Sequence, residues 1–233
     1  MGGLARRAAF FEKIRSEKSS AFFIRGPFEY TRPEKDAELN STRSRVLDLI
    51  YPRLNYDLSF PLSPEYSPPD KQKCDVFPFS SRRVKVATAD IGRGKAGFVL
   101  LPREMDNQAH SRVQKAIEDF RRSPEIVLVL AVSGLGAVEE NKLFSEYDFS
   151  PDILLGGGPG AGMRGRIKNR GKTLWIRPYS RGKSVSFIRV FSLPGEDGFK
   201  KWVKNKNVEF GVIPLRGDIP LDRDIQKIIS EKW

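Results

Sequence analysis

Cysteine and histidine are almost absent from this 233-residue chain, in which Cys74 is the only thiol and His110 the only imidazole. Their scarcity excludes zinc sites of Cys/His type, covalent haem attachment and an intrachain disulfide framework. A Ser-His-Asp triad would have only His110 to recruit, and no Gly-x-Ser-x-Gly elbow lies near Asp106-Asn107-Gln108-Ala109-His110-Ser111. His110 is therefore expected to be a solvated residue near a helix start. Long apolar runs are also missing: the longest, Ile126–Val132, is strand length, far short of the roughly eighteen residues a membrane helix needs. Behind Met1 the run Gly2-Gly3-Leu4-Ala5-Arg6-Arg7 has no apolar h-region, so the chain as it stands carries no secretory signal. No internal repeat and no interdomain linker is visible.

What is present is a core and an excess of positive charge. Hydrophobic residues make up 39% of the chain and aromatics 11%, which is too apolar for a disordered polypeptide. Lysine and arginine number 41 against 29 acids, a formal charge of +12. The spacing of Leu4, Ala8, Phe11 and Ile14 predicts a helix over 3–18, followed by a short strand at 21–24. Val46, Leu47, Leu49 and Ile50 predict a second helix over 44–54. The stretch 56–78, with Pro61, Pro64, Pro68, Pro69 and Pro78, is read as irregular. Strands are expected at 83–89, 96–101, 125–132, 152–155, 173–177, 184–192 and 208–214, with 173–177 and 184–192 closing one sheet. Helices are expected at 108–122 and 222–231. Strands that alternate with helices and are interrupted by hairpins indicate an α/β fold with a mixed sheet between helices.

Several motifs resemble ligand sites and fail on context. Gly160 to Gly165 spells Gly-x-Gly-x-x-Gly directly after a strand, but 167–173 is read as a short basic turn where a dinucleotide fold requires a helix. Gly171-Lys172-Thr173 and Gly182-Lys183-Ser184 resemble the end of a P-loop, yet the glycine needed five positions earlier is Arg166 in one case and Arg177 in the other. Cations cluster at Arg164, Arg166, Lys168, Arg170, Lys172, Arg177, Arg181, Lys183 and Arg189, interleaved with Trp175 and Tyr179, and again at Lys200, Lys201, Lys204 and Lys206 around Trp202. The bland reading is a solvated basic face; the functional readings are a docking surface for an acidic partner, a nucleic-acid groove, or an anion nest on the glycine run with Arg164 and Arg166.

Read in order, the segments resemble the 5'-nucleotidase branch of the calcineurin-like metallophosphoesterases. Gly2-Gly3-Leu4-Ala5-Arg6-Arg7-Ala8-Ala9 is similar to that family's first helix and Tyr56-Asp57 to its Tyr-Asp before Gly-Asn-His-Glu. Pro151-Asp152-Ile153-Leu154-Leu155-Gly156-Gly157 is similar to the strand that leads into Gly-Gly-His-x-His. Gly171 to Ile176 with Gly182-Lys183 resembles the next strand and turn, and Val212-Ile213-Pro214-Leu215 the segment that ends such domains. The resemblance implies an α/β fold of mixed sheets, a calcineurin-like β-sandwich flanked by helices, over residues 1–233 as a single domain. The family's first strand would precede Gly2 and is expected to be missing.

The resemblance also locates the two-metal site, and the ligands are gone from every matching position. Phe28, or Pro27 in an alternative alignment, replaces the bridging aspartate; Ser63 replaces the asparagine ligand and Pro64 the catalytic histidine, while Glu65 persists. Ser133 stands where a histidine closes the buried strand, and Gly158 and Gly160 where the two histidines of Gly-Gly-His-x-His belong. Such enzymes hold two divalent ions by Asp, Asn and His side chains to activate water. The expectation is a pseudoenzyme with no cofactor and no metal, acting as a structural or interaction subunit among other proteins. The old metal loops (26–31, 59–69, 133–138 and 156–166) are expected together at one end of the sheet. Arg164, Arg166, Lys168, Arg170, Arg181 and Lys183 are the interface or anion-binding candidates. The alternative is a nucleic-acid or nucleotide-binding protein using the basic surface and the former phosphate cleft without catalysis. A weaker third is a residual hydrolase using Glu65, Asp57 or Asp152. Family resemblance points to an extracytoplasmic, periplasmic location, whereas the absence of a signal leaves the cytoplasm open.

Overall fold

A computed structural model describes residues 3–18, 20–28, 37–61, 75–179 and 182–232. The chain divides into two compact units, the first built from 1–78, 180–185 and 214–233, the second from 79–179 and 186–213.

In the first unit α1 (Leu4–Glu17), α2 (Ala37–Leu54) and α5 (Arg223–Lys232) enclose one core, beside three short parallel strands, β1 (Ile24–Arg25), β2 (Leu58–Ser59) and β3 (Asp75–Val76), in the order β1-β2-β3. The helices form because their apolar residues recur at three- and four-residue intervals: Ala5, Ala8 and Phe11 on α1 meet Val46, Leu47, Ile50 and Leu54 on α2 and Ile225 on α5. Phe11 lies between two rings, 4.4 Å from Phe23 and 5.4 Å, edge-on, from Tyr56. Tyr56-Asp57 has a clear structural duty. The phenol accepts a 3.0 Å hydrogen bond from the buried Arg7, and the Asp57 carboxylate accepts from the Phe23 amide at 2.6 Å while its own amide donates to the Phe23 carbonyl. That reciprocal tie fixes the register of β1 on β2.

The second unit is a six-stranded sheet in the order β4-β5-β6-β7-β9-β8, from β4 (Lys85–Asp90), β5 (Lys95–Leu100), β6 (Ile126–Val132), β7 (Ile153–Leu155), β8 (Met163–Lys168) and β9 (Thr173–Arg177). The four inner strands are parallel and the two edges, β4 and β8, antiparallel to their neighbours. The unbroken apolar runs of β5, β6 and β9 are what a parallel sheet buried on both faces requires. α3 (Asn107–Arg122) covers one face with Val113 and Ile117; its N-cap is Asp106, whose carboxylate accepts from the Ala109 amide at 2.6 Å. α4 (Ala137–Glu146) packs Leu143 into the same cluster.

Two sequence expectations need correction. Residues 163–168, read as part of a loop running into a basic turn, form β8, and β10 (Ser184–Val190) does not close the large sheet but pairs with β11 (Val208–Pro214) in a separate two-stranded sheet. Short strands also occur at 58–59 and 75–76 within the stretch read as irregular.

Candidate functional site

Ligands of parallel sheets collect beyond the carboxyl ends of the strands, and here two neighbouring strands end in adjoining loops. After β6 the chain runs through Ser133 to the start of α4; after β7 it runs through the glycine run 156–162. The loops are stitched together by backbone hydrogen bonds from Ser133 N to Leu155 O (2.9 Å), Gly136 N to Gly157 O (3.0 Å) and Ala137 N to Pro159 O (2.8 Å). Of the four loops expected together, 133–138 and the 156–162 part of the last adjoin, while 163–166 belong to β8 and residues 29–31 and 62–69 of the other two lie outside the described residues.

A buried ion pair holds the glycine run from beneath. Glu140, in the first turn of α4 and fully buried, accepts from the Gly157 amide (2.9 Å) and the Trp175 indole (2.8 Å) and is ion-paired with Arg177 at the end of β9. Arg177 gives its remaining donors to four loop carbonyls, those of Gly157 (3.1 Å), Gly158 (3.0 Å), Pro159 (3.0 Å) and Ala161 (3.2 Å). A guanidinium has five N–H groups, and all five are spent on Glu140 and these carbonyls. The pair clamps the loop and leaves Arg177 no donor for an outside ligand.

Ser133 is buried at the end of β6, and its hydroxyl accepts from the Leu135 amide at 3.1 Å, making a turn. Gly158 and Gly160 have φ of 80° and 105°, the left-handed region. A Cβ at Gly158 would lie 2.5 Å from the Gly134 carbonyl oxygen, and one at Gly160 2.7 Å from the Ala137 methyl. Neither position admits a side chain on this backbone. Phe28, in the first unit, follows β1 with φ of 68°. Ser63, Pro64, Glu65 and Arg181 lie outside the described residues. Arg164 and Arg166 are exposed on β8, and Arg170, also exposed, stands on the turn after it. Lys168 is half-buried, its ammonium 3.1 Å from Asn141 Oδ1 and above the Phe144 and Trp175 rings. Lys183 is exposed in the first unit, with its carbonyl accepting from the Leu215 amide.

Three readings of the basic clusters are corrected. Arg177 is buried and committed to Glu140, Arg189 is paired with Glu209 at 2.7 Å, and Trp175 and Trp202 are core residues, so none of the four belongs to a free cationic surface with interleaved aromatics. The two described carboxylates proposed for a residual hydrolase are also committed. Asp57 ties Phe23, and Asp152, at the opposite end of β7 from the glycine run, accepts from the Val129 amide at 2.8 Å and faces Arg121 at 3.4 Å. Burial pushes the Asp152 carboxyl above the usual aspartate range, against the lowering effect of the Val129 amide and Arg121. His110 is half-buried, not solvated, and stacks on Tyr147. Among the described residues no three His, Cys, Asp or Glu side chains converge as a metal site, and no helix is long and apolar enough to cross a membrane.

No family model and no curated protein sequence matches the chain. Solved structures do. The sulfate thiohydrolase SoxB of Thermus thermophilus, in complex with glycerol, superposes with a TM-score of 0.70 at 14% identity, over 100% of this chain and 46% of that one. A 5'-nucleotidase precursor from the same organism gives 0.70 at 17% identity, over 98% of this chain and 52% of that one. The 5'-nucleotidase of Candida albicans gives 0.58 at 12% identity, over 99% and 53%. The chain spans about half the length of these structures. At such identities the likeness speaks for the fold alone, and the chain shares the fold of these SoxB and 5'-nucleotidase structures.

Proposed function

We propose that the chain is a catalytically inactive phosphoesterase-fold protein that serves as an interaction subunit of a larger protein assembly. One observation carries the reading. At Gly158 and Gly160, where the family resemblance expects histidine ligands, the backbone adopts left-handed conformations with no space for a Cβ. The loop is built around glycine and clamped in that shape by Glu140 and Arg177, so the change goes further than a lost side chain. The charge excess then becomes the property that a non-catalytic protein has to offer a partner. We place its working compartment outside the cytoplasm, as the family resemblance implies.

The experiment is a phosphomonoesterase assay of the pure protein on a nucleoside monophosphate and on p-nitrophenyl phosphate, with manganese or zinc supplied. No turnover above the protein-free blank is expected; reproducible, chelator-sensitive turnover overturns the inactive reading. Native mass spectrometry of the chain drawn gently from its source tests the other half, and a lone, partner-free species counts against it.

A second reading is favoured by the basic edge of the second unit. Nucleic-acid binding there predicts an affinity that falls steeply with salt.

A further inference from the structure

β8 is the last strand of its sheet, and it offers two things at once. Its inner side pairs with β9. Among the described residues no backbone hydrogen bond from any other segment reaches its outer side. An open strand edge is a template for another strand, and natural proteins guard such edges with charge. Here the charge is of one sign. The stretches 163–172 and 200–206 contain nine cations and no acid, and the fold brings them together. Lys201 lies against Gly171 in the turn after β8, and Lys204 stands 5.2 Å above the ring of Phe210, which itself lies over Gly165 of β8. Arg164 and Arg166 are exposed, and among the described residues neither has an ion-pair partner. Guarding an edge takes one or two charges; this concentration goes beyond that need and calls for a counter-charge.

We propose that the outer edge of β8 is a docking site for an extended, acidic segment of a partner protein, which joins the sheet as a further strand. Main-chain hydrogen bonds along β8 would give affinity, and carboxylates facing Arg164, Arg166 and Lys204 would give selectivity and register. A single-stranded nucleic acid is the poorer fit, because stacking successive bases needs several accessible rings, and of Trp175, Tyr179, Trp202 and Phe210 in this region Tyr179 alone is exposed. The inference rests on the interaction-subunit reading and names the partner's chemistry.

The test titrates the full chain into a fluorescein-labelled peptide of alternating glutamate and threonine, about ten residues long, followed by anisotropy. A second peptide has the same sequence with alternate amides N-methylated, which keeps the charge and removes the donors along one edge. Binding of the first peptide is expected, weakened about tenfold or more both by N-methylation and by the double variant Arg164→Glu/Arg166→Glu. The N-methylated probe leaves the protein unaltered, so the result does not depend on how the variant folds. Equal binding of the two peptides overturns strand addition while leaving a charged docking surface. Failure of both peptides beside tight binding of an oligonucleotide overturns the proposal in favour of nucleic acid. Failure of all probes overturns it too, and native mass spectrometry then decides separately whether the subunit reading survives.

Discussion

Glu140 and Arg177 form an ion pair from which water is excluded on both sides, and every N–H of the guanidinium is used. Such a pair adds little net stability over a well-packed apolar substitute, because both charges must be desolvated, but removing one partner strands the other. Glu140→Gln or Arg177→Met should each lower unfolding stability by about 3–5 kcal/mol, read by urea denaturation at neutral pH. The double variant should cost less than the two singles added together. Strict additivity would contradict the coupling described above.

The glycine run makes a sharper prediction about its own chemistry. Gly160→Ala places a Cβ on a left-handed backbone against Ala137 and should cost about 1–3 kcal/mol from strain alone. Writing both histidines back, as Gly158→His/Gly160→His, should destabilise further and create no zinc site. Calorimetric titration with zinc checks this, and tight binding by the double variant would show that the loop can return to a ligating form.

Phe11 joins α1 to two other aromatic rings in the core of the first unit. Phe11 touches Phe23 and Tyr56 and is 4% exposed. Truncation as Phe11→Ala should cost about 3–5 kcal/mol, seen as a lowered denaturation midpoint, with the exposed Leu49→Ala as a near-neutral control.

His110 supplies a pH dependence with a definite sign. Burial holds its imidazole below the ordinary value of 6.5, outweighing the raising effects of Asp106 and Glu146. As pH falls below 6.5 the unfolded chain takes up the proton first, so the native state loses stability until the folded imidazole is protonated as well. Replacing it, as His110→Gln, should remove this component, and the stability difference between the two proteins should vary with pH only below neutrality. A difference that stays constant from pH 8 to pH 5, roughly the titration span of histidine, would show that the ring titrates as it does in water.

Most of the scaffold is readable in the sequence, and the failures have physical causes. α3 is legible from Asp106 as cap and the stripe of Ala109, Val113 and Ile117, β6 and β9 from their apolar runs, and β11 from the alternation at Val208-Glu209-Phe210. α4 escapes notice because its first turn is Glu139-Glu140, and the second of these, which periodicity alone would assign to solvent, lies at the centre of the unit. β8 is hidden because three cations and a glycine mask a strand whose edge position tolerates both. The loops of the candidate site can be found from their glycines and from Ser133. Their clamp cannot, since Glu140 and Arg177 are 37 residues apart and an arginine among many others carries no local sign of burial.

The first unit is closed by α5. Its Ile225 is fully buried in the cluster that holds Ala5, and the Asp222 amide donates to the Ala5 carbonyl. During synthesis α1 leaves the ribosome some two hundred residues before α5, an interval of roughly 10–40 seconds at about 5–20 residues per second. Through that interval α2, Phe23 and Tyr56 are already available to α1, but the side of the core that Ile225 fills stays open, although all six strands of the second unit's large sheet emerge before α5 does. A nascent chain of this design keeps one side of its first core exposed to other proteins until the last helix is made.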